Sequence, residues 1–62
     1  MFTTAQTLAV AAAFAGRWEM LSHHVYDLTP EMVVDAAALL IEHGEDAAAR
    51  LLIELATAAD AR

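Results

Sequence analysis

A chain of 62 residues makes one small domain near the lower limit for independent folding, burying only about 60% of the surface it exposes when unfolded. It contains no cysteine, which excludes a disulfide framework and a thiolate metal site as supports for a weak core. Nine acidic residues stand against three arginines, a formal net charge of −6, which argues against direct nucleic-acid binding and against docking on an anionic membrane.

The apolar fraction, 60%, lies above the roughly 45–50% usual for soluble domains. Much of it is alanine, which demands little burial, but the excess still favours self-association or a standing protein partner. The longest apolar runs, at 8–15 and 36–41, are far short of the roughly 20 residues that span a bilayer. MFTTAQ carries no lysine or arginine ahead of the first run, so the basic region of a signal peptide is missing and a cytoplasmic location is expected.

In chain order, Thr3 and Gln6 have capping-box spacing, and a first helix is predicted from residue 4. Its alanine-rich run, LAVAAAFA, has strong helix propensity. Phe14, Trp18, Leu21, Val25 and Leu28 then recur at alternating steps of four and three, a heptad-like seam for packing on other helices. Because that seam keeps its phase across Gly16, the helix is expected to run unbroken over roughly 4–26.

Next, Thr29 is placed to cap orphan amides, Pro30 suits the first helical position, and Leu28 with Val33 has the spacing of a hydrophobic staple. The predicted second helix, roughly 30–43, confines its charges Glu31, Asp35 and Glu42 to one stripe. A helix apolar around most of its circumference is expected to be buried on several sides. His43 and Gly44 form a C-terminal stop, and Glu45 and Asp46 open a third helix over roughly 46–60. The short connection makes the two helices an antiparallel hairpin. The third helix presents Arg50, Glu54 and Thr57 to solvent, and Ile53, apolar at the edge of that stripe, points to a further contact.

The expected architecture is therefore all-α: a long first helix followed by an antiparallel helical hairpin, three helices in a single small helical domain over 1–62. A first helix of about 23 residues is roughly 35 Å long, against roughly 20–24 Å for the others. Its alanine-rich start then overhangs the hairpin, and a second copy packed on it gives a homodimeric helical bundle. Val10, Phe14, Trp18, Leu21 and Val25 are the predicted interface. The spacing Ala36…Leu40…Gly44…Ala48…Leu51…Ala56 is similar to the helix–turn–helix of tetratricopeptide-type repeats, in a single copy.

Chemistry has few footholds. Glu19, His23 and Asp27 fall at successive steps of four and would share one face of an unbroken helix, an arrangement able to ligate zinc or another transition metal. Against this stands a solvated polar face, the weightier reading, so no metal and no cofactor are expected. Glu42, His43 and Glu45 cluster at the hairpin turn, where a histidine near a helix C-terminus stabilises the dipole without further duty. Ser22 adjoins His23 on one helix, and adjacent helical residues do not face each other as a nucleophile and base must. The expected function is a non-enzymatic, homodimeric protein–protein interaction module: an adaptor, small regulator or assembly subunit. Two alternatives follow it: a dimeric metal-binding protein using Glu19, His23 and Asp27, and an acidic inhibitor of a nucleic-acid-binding protein.

Overall fold

Two glycines set the course of the chain. Gly16 and Gly44 adopt φ of +70° and +76°, the left-handed region that a β-carbon disfavours. Each sits just past a helix end. The Gly16 N–H donates to the Ala13 carbonyl at 3.2 Å and the Arg17 N–H to Ala12 at 2.9 Å. At the second site Gly44 donates to Ile41 at 3.0 Å and Glu45 to Leu40 at 2.8 Å. Both pairs are the crossed hydrogen bonds of a Schellman motif, which satisfies the last carbonyls of a helix and turns the backbone away.

The computed structural model describes residues 2–60, and its regular structure is entirely helical. The helices are α1 (Thr4–Phe14), α2 (Trp18–His24), α3 (Pro30–Glu42) and α4 (Asp46–Asp60). A 3₁₀ turn, Val25–Asp27, follows directly on α2. The all-α class and the α3–α4 hairpin are as expected, with boundaries close to those predicted. The unbroken first helix is not. Gly16 ends α1, and so the described residues form four α-helices where three were expected. At 11 residues, α1 is about 16 Å long. It has no overhang, and that reason for a second copy goes with it.

The predicted caps are in place. Thr3 Oγ1 accepts from the Gln6 N–H at 3.2 Å while Gln6 Oε1 accepts from the Thr3 N–H at 2.9 Å, a reciprocal capping box. Thr29 Oγ1 accepts from the Met32 N–H at 3.3 Å, with Pro30 in the first turn.

The core lies where α1 and α2 meet the hairpin. Its largest fully buried side chains are Leu21, Leu40 and Leu52, one each from α2, α3 and α4, and alanine supplies more than half of the rest. Small side chains let helix axes approach closely, and Ala9, Ala36 and Ala49 are essentially inaccessible. On α3 only Val33, Ala36, Ala37 and Leu40 are buried. Val34 and Ile41 are exposed, so the second predicted helix has one buried face and not the several expected. Among the described residues Gln6 is the buried polar side chain, and its Nε2 donates to the Met32 carbonyl of α3 at 3.1 Å.

Candidate interaction surfaces

The turn at Gly16 divides the predicted seam. A straight helix would have kept Val10, Phe14, Trp18, Leu21 and Val25 on one line. The Schellman turn resets the phase, so Val10, Leu21 and Val25 enter the core of their own chain at 7%, 0% and 4% exposure. Phe14 and Trp18 stay outside it, each 45% exposed. Only these two of the five predicted interface residues present a large apolar surface to solvent.

They belong to a corner built around the α1–α2 turn. Phe14 ends α1 and sets its ring edge-on against His43, with centroids 5.7 Å apart and planes at 74°. Trp18 opens α2, and its Cζ2 comes within 4.0 Å of where a β-carbon would stand at Gly16. Met20 beside it is also exposed, its Sδ accepting from Arg17 Nη1 at 3.6 Å. The corner carries little charge, since the residues before α3 hold only Glu19, Asp27 and Arg17.

A second surface lies on the outer face of the hairpin. Val34 and Ile41 on α3 are 66% and 55% exposed, and Ile53 on α4 is 46% exposed. Two shallow grooves run between the helices here. One, of about 290 Å³, lies at the open end of the hairpin and includes Val25, Tyr26 and Leu28 in its lining together with Pro30, Val33 and Ala56. The other, of about 410 Å³, includes Ile41, Ala49 and Arg50. Ile53 lines both and joins them into one track, apolar toward Pro30 and Val33 and flanked by Asp46, Arg50 and Glu54 toward the hairpin turn. The sequence singled out Ile53. Val34 and Ile41 were missed, because an apolar circumference on α3 reads as burial when nothing in the sequence says which side its neighbours leave open.

The hairpin also concentrates the charge. Every acidic residue except Glu19 and Asp27 lies between Glu31 and Asp60, and the one arginine in that stretch is Arg50, with no lysine. These carboxylates are all exposed. Asp46 and Glu54 line the track itself, and Asp60 lies at its far end.

The proposed metal ligands do not assemble. Glu19 and His23 lie one turn apart on α2, but Asp27 falls in the 3₁₀ turn, whose tighter pitch breaks the four-residue register. Among the described residues no group of three or more histidine, aspartate or glutamate side chains is placed to hold a metal ion. Ser22 Oγ donates to the Glu19 carbonyl at 2.7 Å, a local backbone bond, and is not paired with His23. No helix of the described residues is long and apolar enough to cross a membrane. Comparison with protein-family models, with curated proteins and with solved structures finds no match for this chain.

Proposed function

We propose that this chain is a non-enzymatic helical interaction module that pairs with a second copy through the α1–α2 corner. One observation carries the reading: several of the largest apolar side chains lie outside the core. The core is mostly alanine, while Phe14, Trp18, Met20, Tyr26, Ile41 and Ile53 are exposed. Burying a side chain of that size contributes about 1.5–3 kcal/mol, which a chain this short has reason to recover through association. Charge favours the corner as the contact between copies. The α1–α2 half is nearly neutral, whereas hairpin against hairpin would oppose like charges.

The test is the mass in solution of the wild type and of Trp18→Glu. A mass near twice 6.6 kDa, halved in the variant with helicity retained, supports the pairing. A wild-type monomer at high micromolar concentration refutes it.

A further inference from the structure

We infer that the outer face of the α3–α4 hairpin receives a basic amphipathic helix from another protein, its apolar stripe over Val34, Ile41 and Ile53 and its lysines or arginines toward the flanking carboxylates. The inference rests on the reading of the chain as an interaction module and names the partner's chemistry.

Shape comes first. Val34 and Ile41 are seven residues apart, two turns on one face of α3, and Ile53 stands across from them on α4. Ile41 and Ile53 line a groove between the antiparallel helices, the form into which a third helix packs its ridge, and Val34 is exposed beside it. Such a ligand is anchored by residues at i, i+3 or i+4, and i+7. With 13 residues in α3, the track is about 20 Å long and matches a ligand of about four turns.

Charge then decides the occupant. Glu31, Asp35 and Glu42 follow the outer edge of α3, and Asp46, Glu54 and Asp60 the side of α4, with Arg50 as the lone opposing charge. A second copy on this face would bring the same acidic rim against itself. A helix with an apolar stripe between basic residues complements both features, and its attraction is screened by salt over about 10 Å at 0.1 M.

The probe is a fluorescein-labelled synthetic leucine–lysine peptide of about four turns, amphipathic as a helix, titrated with the full chain and followed by anisotropy. Two controls accompany it: a scrambled peptide of the same composition and an analogue with glutamate for lysine. The wild type is expected to bind the amphipathic peptide, more weakly as salt rises, and to bind the controls at least about tenfold more weakly. Val34→Asp and Ile53→Asp, both at exposed positions, should each weaken binding by about tenfold or more, as a charge does at the centre of an apolar contact. Arg50→Gln should tighten it, while Leu8→Asp, on α1, should leave it unchanged. Equal binding of the scrambled peptide, or full affinity in both aspartate variants with their helicity intact, overturns the inference. So does a dimer that Val34→Asp dissociates, since a second copy then occupies the face. A dimer that depends on Trp18, in a chain that ignores the peptide, defeats this inference and leaves the interaction reading standing. A monomer that ignores the peptide defeats both.

Discussion

Gln6 Nε2 donates to the Met32 carbonyl at 3.1 Å, across 26 positions of sequence. One buried amide thus closes the capping box of α1 with its oxygen and ties α1 to the first turn of α3 with its nitrogen. The neighbouring N–H of Met32 is held by Thr29 Oγ1, so both caps meet at the junction of the first half with the hairpin. Replacing Gln6 with Met keeps the volume and removes both bonds. The expected loss is about 1–3 kcal/mol in urea unfolding, the net worth of two partly buried hydrogen bonds at about 0.5–1.5 kcal/mol each. An unchanged midpoint would mean that water replaces the amide.

Gly16→Ala gives a result whose sign is informative. At φ +70° an alanine is strained, and the nearest atom to its β-carbon, 4.0 Å away, is at ordinary contact distance. The cost is therefore one of backbone conformation, about 1–2 kcal/mol. In an unbroken helix the same substitution would stabilise by roughly 1 kcal/mol. A rise in Tm would show that α1 and α2 are one helix.

Thr29→Ala frees the Met32 N–H and should cost about 0.5–2 kcal/mol. Thermal unfolding indistinguishable from wild type would place the start of α3 elsewhere.

Two adjacent residues of α3 should behave oppositely. Leu40 is 0% exposed and Ile41 55%. Leu40→Ala opens a cavity worth about 2–5 kcal/mol. Ile41→Ala should stay within about 0.5 kcal/mol at concentrations where the chain is unpartnered. Similar losses from both would mean that α3 is enclosed on its outer face as well.

Local chemistry was the legible part of the sequence. Thr3 with Gln6, Thr29 with Pro30, and Gly44 each announce a helix end through side-chain or backbone requirements confined to one turn. Gly16 has the same conformation as Gly44, yet the residues around it carry no sign of a helix end. It is followed by Arg17, Trp18 and Glu19, which continue a helical pattern instead of breaking it, and the apolar spacing kept its phase across the turn by coincidence. The error propagated to length, to the overhang and to the five-residue seam. Which apolar residues face a partner is a tertiary property. Val33 and Val34 are neighbours of one type, and only the packing of α3 on the rest of the fold makes the first buried and the second exposed.

Trp18 offers the most direct test of pairing through the α1–α2 corner, because it is the only tryptophan and is 45% exposed in the single chain. Its emission should be blue-shifted at high micromolar concentration, move to the red on dilution through the dissociation constant, and do so while circular dichroism stays helical. An emission maximum independent of concentration, in a chain that scatters light as a 6.6 kDa monomer throughout, would contradict the account.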